Sequence, residues 1–141
     1  MTHHSAHAIA SIASRAGFTG KALTEAVSIA LAASGGADHF DLVLHHEPLL
    51  GYRGLFGLSV DGLSTEDRDM LFDPHYSAER LYQLWRSNAH SWPADGFIRR
   101  GLASGLVTET EVVLRSREPS QPLVQHSRLA ETLYHQRYLN G

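Results

Sequence analysis

The stretch Gly20-Lys-Ala-Leu-Thr-Glu-Ala-Val-Ser-Ile-Ala-Leu-Ala-Ala-Ser-Gly-Gly36 carries the clearest structural signal in this sequence. Its apolar residues recur every three or four positions, which is the spacing of one helix face: Leu23, Ala26, Val27, Ala30 and Leu31. The alanines also favour a helix, and the paired glycines are a typical helix stop. The pattern predicts a helix from about Thr19 or Gly20 to Ala33.

The segments around this helix predict further helices. Residues 6–16 repeat the helical spacing, and a capping sequence opens a short helix at residues 64–71. Asp73 and Pro74 then form an N-cap followed by a first-turn proline, which starts a longer helix. That helix has an apolar stripe made of Ala78, Leu81, Tyr82, Trp85 and Ala89. We therefore expect a mainly α domain.

Two regions depart from the helical pattern. Residues 37–62 contain glycines at 51, 54 and 57, which argue against a long regular element and predict a small extended hairpin near 40–60. Residues 108–117 alternate between apolar and polar side chains, which is a weak strand signal. We therefore divide the chain into a domain at 1–104 and a C-terminal extended arm at 105–141.

The arm continues with a linker and an amphipathic segment. The linker is Glu118-Pro-Ser-Gln-Pro122, and residues 129–138 have the pattern of a short helix. A helix of this length is marginal by itself, so we expect the arm to dock on a neighbouring subunit.

Composition excludes several classes of function. With 141 residues and a net charge of −3, the chain suits one domain and shows no field that would attract nucleic acid. It has no cysteine, no apolar run of the about 20 residues that cross a bilayer, and no classical signal peptide. Among its ten histidines, His45 and His46 are consecutive and diverge, and His3, His4 and His7 could converge on a first helical turn but lie at a terminus expected to fray, so surface histidines are the better interpretation. No nucleotide motif is present. We expect no metal and no cofactor.

Three segments in order resemble the superfamily of lysozyme-like soluble lytic transglycosylases and goose-type lysozymes, in its actinobacterial and actinophage form. They are Ala26–Gly36, similar to a helix ending Ala-Glu-Ser-Gly-Gly; Tyr52–Leu58, similar to Ser-Arg-Gly-Leu-Trp-Gln-Ile; and Leu71–Ala78, similar to Leu-Phe-Asp-Pro-x-x-Asn-Ala. The resemblance covers residues 6–104 and implies a lysozyme-like helical domain.

The sequence departs from this family where the chemistry is expected. The resemblance implies a glutamic acid at the C-terminal end of the second helix, which protonates the glycosidic oxygen. Ala33 occupies that position, and Gly57 replaces a glutamine that lines the sugar site. Ala33 is consistent with a natural loss or with an engineered replacement of glutamate, and the second departure at Gly57 favours the natural loss.

Three functions remain open on these residues. The first is a catalytically inactive structural or wall-contacting component of a phage virion, tail or tail-like particle, whose partners are peptidoglycan or other particle subunits. The second is an active peptidoglycan hydrolase with Glu47 or Asp41 as a displaced acid, and the third is a non-cutting peptidoglycan-binding module. Residues proposed to line a sugar groove are Ser34, Tyr52, Arg53 and Phe56. We expect the protein in a virion or phage-like particle if it is phage-encoded, and otherwise in the cytoplasm.

Overall fold

The chain is mainly helical, as expected. The structure is a computed structural model that describes residues 2–44 and 50–116, and these form six helices and one three-stranded sheet. The helices are α1 Ala6–Ala16, α2 Gly20–Ser34, α3 Thr65–Met70, α4 Pro74–Ser87, α5 Gly96–Gly101 and α6 Ser104–Arg115. The linker and the amphipathic segment predicted after residue 117 lie outside the described residues.

Helix α2 is the centre of the fold. The eight consecutive residues from Ala26 to Ala33 are all buried, so this half of the helix is enclosed on every side. Small alanine side chains allow neighbouring helices to approach, and α1, α5 and α6 all contact α2. The helix ends at Gly35, which adopts a left-handed conformation with φ of 66°. Both predicted boundaries of α2 are confirmed to within one or two residues.

Local capping explains where α3 and α4 begin. The Ser64 hydroxyl accepts a hydrogen bond from the Asp67 amide at 3.1 Å, and the Asp73 carboxylate accepts from the first-turn amides of α4. These starts confirm the sequence prediction. One residue of the predicted apolar stripe of α4 does not belong to the helix: α4 ends at Ser87, and Ala89 lies beyond it with a positive φ of 58°.

The sheet is a small antiparallel meander in the order β1 Asp41–Leu44, β2 Leu50–Arg53 and β3 Leu58–Ser59. Its register opposes Leu42 to Tyr52 and Tyr52 to Ser59. Position 51 in β2 requires glycine, because a Cβ there would lie 2.1 Å from the Leu42 carbonyl oxygen of β1. The hairpin predicted near residues 40–60 is confirmed.

The weak strand predicted at 108–117 is wrong, because α6 occupies Ser104–Arg115. Leu106, Thr110 and Val113 are buried, at the i, i+4 and i+7 spacing of one helix face, and α6 packs against α1 and α2. His7 Nε2, at the start of α1, lies 3.0 Å from the Ser116 carbonyl oxygen at the end of α6. Residues 104–116 therefore pack with the helical domain.

Helix α5 approaches α2 more closely than a side chain would allow. A Cβ at Gly101 would lie 2.4 Å from the Ile29 Cα atom, and the buried Ser28 hydroxyl donates a hydrogen bond to the Gly101 carbonyl. This contact fixes the short helix that carries Phe97. In the part of the chain that the structure describes, no helix is both long and apolar enough to span a membrane.

Candidate functional site

The two positions that depart from the lysozyme pattern lie against each other. Ala33 is fully buried at the end of α2, and a Cβ at Gly57 would lie 2.5 Å from its methyl carbon. Gly57 has a φ of +58°, and the same Cβ would lie 3.0 Å from the Phe97 ring. A methyl group and a bare backbone therefore fill this place, with no room for a carboxyl and an amide side chain.

An aromatic cluster covers this contact. The Phe97 ring packs edge-to-face on Tyr52, with ring centres 4.9 Å apart, and on Phe40 at 5.7 Å. Such edge-to-face pairs are favourable beyond the apolar area that they bury. The position of Phe97 against Gly57 depends on where α5 lies.

Ser34, predicted to line a groove, uses its hydroxyl to fasten the end of α2. The hydroxyl oxygen lies 2.7 Å from the Leu55 carbonyl oxygen and 3.0 Å from the Ala30 carbonyl oxygen, and it accepts from the Gly36 amide at 3.1 Å. Because the hydroxyl has one proton and these three partners, its role is to join the helix end to the loop after β2.

Arg53 was also predicted to line the groove, and the structure corrects this. Its guanidinium is buried between Asp41 at 3.1 Å and Asp69 at 3.2 Å, and it lies 4.6 Å from the centre of the Phe72 ring. The group therefore ties the sheet to α3. Asp41, considered above as a displaced acid, is one of its two ion-pair partners.

Phe56 is the other groove prediction that the structure contradicts. Its side chain is fully buried and belongs to the hydrophobic core. Tyr52 and Phe56 lie among the same glycines, so the spacing of the sequence does not tell which of them faces a groove. Glu47, the other candidate for a displaced acid, lies outside the described residues.

Tyr52 is the groove candidate that lies at an open cavity. This cavity, of about 600 Å³, lies between the sheet and the start of α5, and it is lined by Leu42, Leu50, Gly51, Tyr52, Ser59, Asp61 and Asp95. Leu42 and Leu50 are unusually exposed for leucine. Sequence reasoning missed both leucines and both aspartates, because the strand register and the position of α5 bring them together.

Asp38 is the acid nearest in sequence to Ala33 whose ionisation is shifted. Burial raises the pKa of its carboxyl, but hydrogen bonds from the His4 ring at 3.0 Å and the Thr2 amide at 3.1 Å outweigh burial and leave the pKa below its usual value. A general acid needs the opposite shift so that it holds its proton near neutral pH. Asp38 instead fastens the N-terminal segment to the loop after α2.

The comparisons with known proteins add no relatives: no protein-family model, no curated protein and no solved structure matches this chain. Within residues 2–44 and 50–116, no group of three or more histidine, aspartate or glutamate side chains is arranged to hold a metal ion. The geometry around Ala33 and Tyr52 is therefore the basis for inferring a function.

Proposed function

We propose that this chain is a lysozyme-like domain that does not cut glycan and serves as a structural, wall-contacting component of a phage virion, tail or tail-like particle. The packing of Ala33 carries the proposal. The resemblance assigns the proton donor of glycan cleavage to this position, where a buried methyl group lies against Gly57 and Phe97. A methyl group has no proton to give to a glycosidic oxygen.

The acids near this position support a structural role over displaced catalysis. The Asp41 carboxylate is paired with the buried Arg53, and the pKa of Asp38 is lowered by its hydrogen bonds to His4 and Thr2. Neither environment resembles the desolvated pocket that keeps a catalytic carboxyl protonated.

The cavity beside Tyr52 supports contact with wall glycan without cleavage. An aromatic ring and exposed leucines offer an apolar surface for the C–H face of a sugar, and Asp61 and Asp95 bring carboxylate acceptors to the same cavity. Recognition of this kind needs shape and hydrogen bonds, and it needs no proton donor.

The test is co-sedimentation of the purified protein with intact actinobacterial sacculi, with the supernatant assayed for released muropeptides. We expect pelleting without release. Leu50→Ser and Asp61→Asn, which alter exposed residues of the cavity, should reduce the pelleted fraction, whereas Val112→Ser on the exposed face of α6 should not. A protein that stays in the supernatant would contradict wall contact.

Release of muropeptides would overturn the proposed lack of cleavage. The matched variants are then Glu47→Gln and Asp41→Asn, since each removes one candidate acid while preserving the size of its side chain. Loss of release in Glu47→Gln alone would identify Glu47 as the displaced acid.

The proposed structural role also involves residues 117–141, which we propose dock on a neighbouring subunit of the particle. Because α6 packs against α1 and α2, a deletion that tests this role must begin after Ser116. We expect removal of 117–141 to lower the assembled mass measured by light scattering while circular dichroism still shows a folded domain. An unchanged assembled mass would contradict docking.

A further inference from the structure

A second cavity, of about 460 Å³, lies between the end of α1 and the outer face of α4. Its lining consists of Ala16, Tyr76, Glu79, Arg80, Tyr82 and Gln83. None of these residues lines the cavity beside Tyr52. The volume is within the range of small-molecule sites, so the chemistry of the lining residues decides what fits.

The two tyrosine rings of this cavity are held in place by the protein itself. Tyr82 packs edge-to-face on the buried Phe18, with ring centres 5.2 Å apart, and its ring lies so close to Gly17 that a Cβ there would be 2.8 Å away. The Tyr76 hydroxyl donates to the Asp67 carboxylate at 3.3 Å. Both rings are therefore positioned before any ligand arrives, which lowers the entropic cost of binding.

Arg80 brings a positive charge to the same cavity. It is half-buried, yet among the described residues no carboxylate forms an ion pair with it. The buried Arg53 has two carboxylate partners, and the half-buried Arg68 bonds to the Leu63 carbonyl and the Thr65 hydroxyl. A partly desolvated guanidinium that has no carboxylate partner in the described part of the chain favours an anion from outside, and its planar shape fits a carboxylate.

Glu79 and Gln83 restrict which anion fits. The Glu79 carboxylate repels a ligand that carries several negative charges, but it accepts hydrogen bonds from hydroxyl groups, and the Gln83 amide can donate and accept. We propose that this cavity binds a saccharide bearing one carboxylate, with the carboxylate at Arg80, the sugar ring against Tyr76 or Tyr82, and hydroxyls at Glu79 and Gln83.

The experiment compares two sugars that differ at one group. Glucuronate and glucose are titrated into the full-length protein, and the aromatic proton resonances of tyrosine are followed by NMR. We expect glucuronate to shift the Tyr76 and Tyr82 resonances and glucose to bind about tenfold or more weakly, since only glucuronate forms charge-assisted hydrogen bonds. Acetate, which has the charge and no ring, should also bind more weakly than glucuronate.

Two arginine variants on one helix make the test specific. Arg80→Gln should reduce glucuronate affinity to that of glucose, whereas Arg86→Gln, an exposed arginine in the last turn of α4, should leave it unchanged. The proposal would be overturned if glucuronate caused no shifts, or if it bound no more tightly than glucose or acetate. It would also be overturned if Arg80→Gln had no effect on the affinity for glucuronate. Leu50→Ser and Asp61→Asn should not alter these titrations, which separates this site from the proposed function.

Discussion

The two sides of the Tyr52–Phe97 pair differ in what fills them. On one side, Ala33 and Gly57 meet beneath the Phe97 ring and leave no space. On the other side, Tyr52 borders a cavity of about 600 Å³ that contains exposed leucines and two aspartates. Two small residues at adjoining positions therefore do not leave a hole, because an aromatic ring from another helix covers them while the neighbouring surface stays open.

The strongest test of this comparison is to place an acid on the closed side. We expect Ala33→Glu to lower the free energy of unfolding by about 3–5 kcal/mol at pH 7, because the larger side chain overpacks the site and buries a charge without a partner. Chemical denaturation measures the loss, and Ala33→Gln separates the effect of size from that of charge.

The pH dependence of Ala33→Glu follows from the same burial. A buried carboxyl has a raised pKa, so the folded state binds its proton more readily than the unfolded state, and the destabilisation should shrink as the pH falls. A variant with wild-type stability at pH 7 that releases muropeptides from sacculi would show that the Ala33 side is open.

Substitutions at two glycines test whether the close contact between α2 and α5 keeps Phe97 over the closed side. Gly101→Ala should cost about 2–4 kcal/mol of unfolding free energy, because its Cβ would collide with the Ile29 backbone and displace the helix that carries Phe97. Gly105→Ala is the matched control: apart from its own stretch of helix, no atom of residues 2–44 or 50–116 lies within 4 Å of its Cβ, so it should stabilise α6 by about 0.5–1 kcal/mol. Thermal unfolding compares the two, and equal effects would contradict the tight α2–α5 contact.

Removing the ion pairs by which Arg53 joins the sheet to α3 should lower the free energy of unfolding by a smaller amount. Arg53→Met keeps much of the buried aliphatic volume but removes the guanidinium, and we expect a loss of about 1–3 kcal/mol in denaturant unfolding, since both partner carboxylates are already partly hydrated. Arg53→Lys should recover only part of this loss because lysine lacks the planar fork. Full recovery with lysine would mean that charge alone matters.

The smallest effect concerns the N-terminal segment. The pKa of Asp38 is lowered on folding by its contacts with His4 and Thr2. These contacts therefore stabilise the folded protein at pH values above 3.8, the pKa of a free aspartate side chain. The stabilisation is lost as the pH falls through the lower pKa of the folded state. Asp38→Asn should therefore be destabilising at pH 7 by at most about 1 kcal/mol, and the difference from wild type should shrink at low pH. A difference that is independent of pH would contradict this assignment.

Local signals in the sequence were sufficient for most of the helices. Caps at Ser64 and Asp73 and the glycine after α2 act through neighbouring backbone groups, so their effect can be read without knowing the fold. Helix α6 was missed because its buried face includes Thr110, whose hydroxyl is satisfied by the Leu106 carbonyl. A polar residue at a buried position hides the helical period, and the exposed Val112 then produces a false alternation.

The candidate site could be predicted only in part. The sequence identifies Ala33 and Gly57 as departures from one pattern, but only the packing of α5 brings Phe97 over both. Tyr52 and Phe56 lie in the same glycine-rich stretch of sequence, but Tyr52 on β2 borders the cavity, whereas Phe56 in the turn between β2 and β3 enters the core.

The bond between His7 and Ser116 has a consequence for how this domain can be joined to other proteins. It brings the start of α1 beside the end of α6, so the helical segment from His7 to Ser116 begins and ends at one place on the domain. Domains with adjacent ends tolerate insertion into a host loop and circular permutation. The helical domain could therefore be grafted into a surface loop of another protein through two short connections.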